Sequence, residues 1–166
     1  MNYRRLFIHN SMVFLTFVTQ DRMDILLGNI DILYSSLLNT IKIYRYKLIA
    51  YTVQKNHIHC IIKPKNISDY SKIIKSFKYA FSKEYKKRNT SAQKIWQNRF
   101  WEHTIRNEED LNTHLDYIHY NSIKHNNIAP KDWEHSSFNK FVKIGLYDND
   151  WCNFKDLHNV KNLNYE

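Results

Sequence analysis

The sequence is poor in the residues that bend, loosen or cross-link a chain. Glycine and proline occur twice each in 166 residues, which argues against long flexible linkers. Cysteine also occurs only twice, as Cys60 and Cys152, and the two do not form a closely spaced pair. No disulfide framework follows from such a set, and a reducing interior fits it. Long apolar runs are missing too. The run Met12 to Val18 has a threonine inside it and is too short for a secretory leader or a membrane span. A soluble cytoplasmic protein with no membrane contact is expected. Nothing repeats at a period of about 20 to 50 residues. The length of 166 residues predicts a single domain over residues 1–166.

Acidic residues are the scarcer charge. Sixteen Asp and Glu stand against 25 Lys and Arg, a formal charge of +9. Such a surplus favours a polyanionic partner: DNA, RNA or an anionic membrane surface. Aromatic residues are abundant at 15%. Most belong in a core, and some are available to stack on unpaired bases.

Periodicity gives the elements. Met12 to Val18 is β-branched and aromatic and predicts a strand, followed by a loop over Asp21 to Asn29. Ile30, Leu33, Tyr34, Leu37, Leu38, Ile41 and Tyr44 recur at helical spacing. Leu48 to Val53 and His57 to Lys63 predict two more strands, joined by a turn at Gln54-Lys55-Asn56. Pro64 ends the second of them. Ser68 suits an N-cap for a helix carrying Tyr70, Ile73, Ile74, Phe77, Phe81 and Tyr85 on one face. Lys72, Lys75, Lys78, Lys83, Lys86, Lys87 and Arg88 occupy its other faces, as solvated charge or as a DNA-facing side. Asn89 to Lys94 reads as loop, Arg99 to Arg106 as a fourth strand and Glu108 to Lys124 as a helix with an acidic first turn. Beyond Pro130 an irregular segment is expected, anchored by Trp133, Phe138, Phe141 and Trp151. The order βαββαβ plus a helix predicts an α+β, ferredoxin-like antiparallel sheet with two helices on one face.

Alternation along the third strand puts His57 and His59 on one face and Ile58, Cys60 and Ile62 on the other. The apolar set should pack under the two helices, which leaves the histidines on the opposite face. A metal-ligand pair and a pair of ordinary surface or core histidines both fit that spacing. In the last helix Leu111, Leu115 and Ile118 form an apolar stripe. His114, Tyr117, Asn121 and Lys124 form a separate polar one. Laid over the open sheet face, this helix would bring Tyr117 and Asn121 to the histidines. Spacing alone does not distinguish Tyr117 from other tyrosines as a nucleophile.

Several motifs in order single out a family. Tyr3-Arg4-Arg5, Asn56-His57-Ile58-His59 and Ile74-Lys75-Ser76-Phe77 come first. The run Ile95 to Arg106, IWQNRFWEHTIR, follows. Then come His114-Leu115-Asp116-Tyr117-Ile118-His119-Tyr120-Asn121, Lys124-His125, Trp133, Ser136-Ser137-Phe138, Gly145 and Asp150-Trp151. The chain resembles the REP-associated tyrosine transposases, a branch of the single-tyrosine HUH transposases of bacterial insertion sequences. It departs from their usual pattern at Gln54-Lys55, where Met-Pro is common. It departs again at Ser122 and Asn126, where Pro and Gly are usual.

The resemblance implies a core over about residues 10–126, an extension over about 127–166, and a tyrosine-bearing helix over the free sheet face. It implies Tyr117 as nucleophile and His57, His59 and Asn121 as metal ligands. Two imidazoles and an amide oxygen suit Mg²⁺ or Mn²⁺. The implied reaction cleaves and rejoins single-stranded DNA near hairpins through a 5′-phosphotyrosine, in a nucleoid-associated protein. Arg4, Arg5, Lys75, Arg99, Arg106 and Lys124 are candidate DNA contacts, each also readable as solvated charge. Trp101 is read as core or as a stacking platform. Alternatives are a catalytically inactive, domesticated protein that binds DNA or RNA hairpins, and a metal-dependent hydrolase built on the histidine pair. A monomer is favoured over a homodimer.

Overall fold

The computed structural model describes residues 11–90, 93–152 and 165. Arg4 and Arg5 lie outside the described residues. Strands β1 (Val13–Val18), β2 (Lys47–Val53), β3 (His57–Lys63) and β4 (Trp101–Thr104) form one sheet in the order β2-β3-β1-β4. Every pairing is antiparallel. Helix α1 (Ile30–Tyr44) links β1 to β2, α2 (Tyr70–Asn89) links β3 to β4, and α3 (Glu108–Asn126) follows β4. This is the expected ferredoxin-like order.

Both faces of the sheet are covered, which is why β1 is buried along its whole length. Val13, Leu15 and Phe17 of β1 and Ile58, Cys60 and Ile62 of β3 pack against Leu33 of α1 and Ile73, Phe77 and Phe81 of α2. The alternate residues Phe14, Ala50 and Ile61 turn the other way and meet Leu115, Tyr117 and Ile118 of α3. A strand buried on both sides reads as a continuous apolar run rather than an alternating one, as VFLTFV does.

The helix ends follow local chemistry. Asn107 caps α3 by accepting the Asp110 N–H at 2.8 Å, and Glu108, Glu109 and Asp110 place negative charge at the positive end of its dipole. The last turn of α2 carries Lys86, Lys87 and Arg88 at the opposite pole. Ser68 is not the N-cap of α2. Residues Ile67–Asp69 form a 3-10 turn that leads into the helix, and Asp69 takes the cap position without a side-chain hydrogen bond. Two further 3-10 turns, Gln20–Arg22 and Leu27–Asn29, order the loop expected after β1.

The segment after Pro130 is more regular than its sequence predicts. It holds a 3-10 turn and a short helix, α4 (Phe138–Lys143). Just before α4 the chain runs along the outer edge of β2. The Val53 N–H donates to the His135 carbonyl at 2.8 Å, and the Ser137 N–H donates to the Tyr51 carbonyl at 2.9 Å. The expected anchors hold: Trp133 Nε1 donates to the Val53 carbonyl at 3.2 Å, Phe138 and Phe141 are buried, and Trp151 packs on Tyr147. Among the described residues, no helix is long and apolar enough to cross a membrane.

Candidate active site

Alternation along β3 turns His57 and His59 toward α3, and both are buried, at 2% and 0% exposure. Their rings lie 5.0 Å apart. Buried imidazoles need partners on their polar atoms. His57 Nδ1 donates to Asn56 Oδ1 at 2.8 Å. His59 Nδ1 lies 2.7 Å from the Thr16 hydroxyl, directly across the β1–β3 register. An imidazole that donates from Nδ1 carries its lone pair on Nε2, the form a metal ion binds.

Helix α3 brings Tyr117 to this pair. Tyr117 is fully buried, with its ring 5.0 Å from that of His59. The Lys124 ammonium, two turns further along, donates to the Tyr117 hydroxyl at 3.5 Å and stands 5.4 Å from its ring centroid. The main-chain N–H of Tyr165 donates to the same hydroxyl at 3.3 Å. Both donors therefore face the oxygen on which negative charge would develop during nucleophilic attack.

Asn121 follows one turn after Tyr117 and is also fully buried. Its Nδ2 donates to the Tyr117 carbonyl at 2.6 Å. That bond fixes the amide and leaves Oδ1 as a buried acceptor with no hydrogen-bond partner among the described residues. A buried acceptor of this kind is costly unless something else binds it. Two imidazoles and an amide oxygen fit a hard divalent cation such as Mg²⁺ or Mn²⁺.

The polar stripe of α3 differs from its sequence reading in burial. His114, Tyr117 and Asn121 are as buried as Leu115 and Ile118, and only Lys124 is exposed. The sheet covers one side of the helix and the C-terminal segment covers another. There His119 packs against Phe138, Phe141 and Tyr147, and Tyr147 donates to Asp116 at 2.7 Å. Burial pushes the His119 imidazole down to about 3, so it is neutral at ordinary pH.

The candidate DNA contacts are scattered. Lys124 joins Tyr117. Arg106 is exposed at the entrance to α3, where its main-chain N–H donates to Asp110. Arg99 is exposed just before β4, and Lys75 is exposed on α2, on the far side of the sheet from Tyr117. Trp101 is half-buried at the edge of the α3-side core. Sequence reasoning missed three neighbours of the site. His125 sets its ring 4.7 Å from that of His57, Thr16 orients His59, and Tyr165 covers Tyr117. Thr16 had a readable signal, a lone hydroxyl in an apolar strand. Tyr165 had none, since nothing local links it to α3.

Comparison with known proteins bears on this arrangement. The family described as "Transposase IS200 like" matches residues 7–121. A REP-associated tyrosine transposase of Haemophilus influenzae is 39% identical, over 94% of this chain and 96% of the relative. A protein of the same name from Escherichia coli K12 is 34% identical, over 90% of each chain. The solved structure of a REP-associated tyrosine transposase bound to a REP hairpin superposes with a TM-score of 0.81 at 29% identity, covering 98% of each chain.

Proposed function

Because this chain belongs to the IS200-like transposase family, among the REP-associated tyrosine transposases, we propose that it cleaves and rejoins single-stranded DNA beside hairpins through a 5′-phosphotyrosine on Tyr117. The observation that carries this reading is the meeting of Tyr117 with the buried His57–His59 pair across the α3–sheet interface. The hairpin substrate is inferred from the relative solved with a REP hairpin and agrees with the net charge of +9.

His57, His59 and Asn121 would hold the divalent cation, Mg²⁺ or Mn²⁺. When bound, such an ion supplies Lewis acidity toward a phosphate oxygen. The protein's own groups do the rest. The Tyr117 hydroxyl oxygen attacks phosphorus and loses its proton. The bond from phosphorus to the 3′ oxygen breaks, and that oxygen takes up a proton to become a free 3′-hydroxyl. Lys124 donates to the tyrosine oxygen and favours the developing phenolate. Asn121 holds the Tyr117 carbonyl and so fixes the turn that carries the nucleophile. The ester keeps the bond energy, so a 3′-hydroxyl can reverse the attack without ATP.

The test uses labelled single-stranded hairpin DNA from the gene's own flanks, with Mn²⁺ or Mg²⁺, read on a denaturing gel. A covalent band is expected with wild type and is lost with Tyr117→Phe and with chelator. Tight binding with no band would instead support an inactive hairpin-binding protein. Cleavage that survives Tyr117→Phe would support hydrolysis by water.

A further inference from the structure

A second group of potential metal ligands lies at the junction of β4 and the first turn of α3, clear of the His57–His59 pair. His103 of β4 and Asp110 and His114 of α3 each offer one ligand atom, and these atoms all lie within 4.8 Å of one another. Two contacts are already short: His103 Nε2 to Asp110 Oδ2 at 2.8 Å, and His114 Nδ1 to Asp110 Oδ1 at 3.1 Å. Metal–ligand bonds of about 2.1 Å at a tetrahedral angle separate ligand atoms by about 3.4 Å. Small side-chain adjustments therefore suffice to close the cluster on one ion.

We propose that His103, Asp110 and His114 form a second metal site, for a borderline divalent transition ion such as Zn²⁺, which staples the start of α3 to β4. The His114 Nδ1 atom sits 2.7 Å from the Asp110 carbonyl oxygen and 3.1 Å from Asp110 Oδ1, so it is the ring nitrogen turned toward the cluster. An ion bound there replaces the proton on Nδ1, and that proton moves to Nε2.

The Asp110 carboxylate adds the negative charge that the His57–His59–Asn121 set lacks, and Zn²⁺ favours that addition. Aromatic rings wall the site: His114 stacks on Tyr165 at 5.0 Å, Phe14 lies 4.7 Å from it, and Trp101 stacks on His103 at 5.9 Å. His103 and Asp110 keep side-chain exposures of 20% and 18%, enough for water to reach a fourth coordination position. His114 is one turn before Tyr117, so an ion here sets the position of the helix that carries Tyr117.

The site is tested apart from the first by giving Co²⁺ to full-length protein carrying His57→Ala and His59→Ala. One equivalent should bind with the visible absorption of a tetrahedral ion, be displaced by Zn²⁺, and raise the melting temperature. Adding His103→Ala should abolish the absorption and the thermal shift. Replacing that change with His103→Cys, which restores a ligand, should bring both back with the band moved toward that of thiolate coordination. The proposal is overturned if the His57→Ala, His59→Ala protein binds no Co²⁺, or if its binding is unchanged by His103→Ala. Neither result depends on whether Tyr117 is a nucleophile.

Discussion

The two faces of the sheet are built from opposite materials. On the α1–α2 side Phe17, Phe77, Phe81 and Trp96 interlock edge to face, with ring centroids 5.3 to 5.9 Å apart. On the α3 side His57, His59, His114, His119, Thr16, Thr52 and Asn121 are just as buried, and each needs a partner for its polar atoms. The first face gains stability from apolar area and shape. The second spends part of its burial on desolvating groups whose value is chemical. One sheet thus carries a stabilising layer and a reactive layer, and substitutions on the two sides should fail in different ways.

The largest effect on stability is expected on the apolar side. Phe81 is fully buried against Trp96 and Tyr85, and Phe81→Ala should cost about 3–5 kcal/mol by urea unfolding. The molecules that remain folded should form covalent DNA adduct at the wild-type rate. A smaller loss is expected from Ser137→Ala on the opposite side. The Ser137 hydroxyl accepts the Tyr51 N–H at 2.9 Å and lies 3.0 Å from His119 Nε2. Its removal strands buried partners, at about 1–3 kcal/mol.

Tyr117→Phe should reverse the balance between chemistry and stability. The ring stays and, among the described residues, the hydrogen bonds from Lys124 and the Tyr165 N–H go; the unfolding free energy should change by less than about 1 kcal/mol while adduct formation disappears. A large loss of stability there would mean that the reactive layer also holds the fold.

A pH-dependent effect concerns a cation drawn onto the apolar side by its aromatic rings. Lys78 Nζ lies 5.9 Å from the Trp96 ring centre and 5.6 Å from that of Phe100. Burial, with help from nearby Lys94, lowers this ammonium from 10.5 to about 8. The unfolded chain therefore binds the proton more tightly than the folded one. Stability should be penalised below about pH 8 and recover as pH rises toward 10.5. Thermal melts across that window should show a rising component in wild type that Lys78→Met lacks.

The fold was largely readable because its signals are local. Alternation in His57 to Lys63 separated the histidines from Ile58, Cys60 and Ile62, and the structure keeps that division. Helical spacing of apolar residues placed α1 and α2, and the turn at Gln54 to Asn56 fell where expected. The meeting of Tyr117 with His59 was also expected, since a helix over the open face needs only strand and helix periodicity. Less legible were features made by distant segments. Helix α4 is only six residues, too short to leave a periodic pattern. The burial of His114, between Phe14 of the sheet and Tyr165, and of His119, against Phe138, Phe141 and Tyr147, depends on C-terminal residues far away in sequence. The His103–Asp110–His114 group joins a strand to a helix start across a turn, and no spacing rule of one element reports it.

The run from His135 to Ser137 along β2 also bears on assembly. β2 is an outer strand of the sheet, and an outer strand ordinarily offers unpaired N–H and C=O groups to any extended chain that drifts past. Here the Val53 amide and the Tyr51 amide and carbonyl are already taken by the protein's own later residues. Along Tyr51–Val53 the edge is occupied, so a neighbouring copy finds no template on that stretch. Those amides should exchange with deuterium slowly for an edge strand. A chain cut before His135 would open that stretch to further strands.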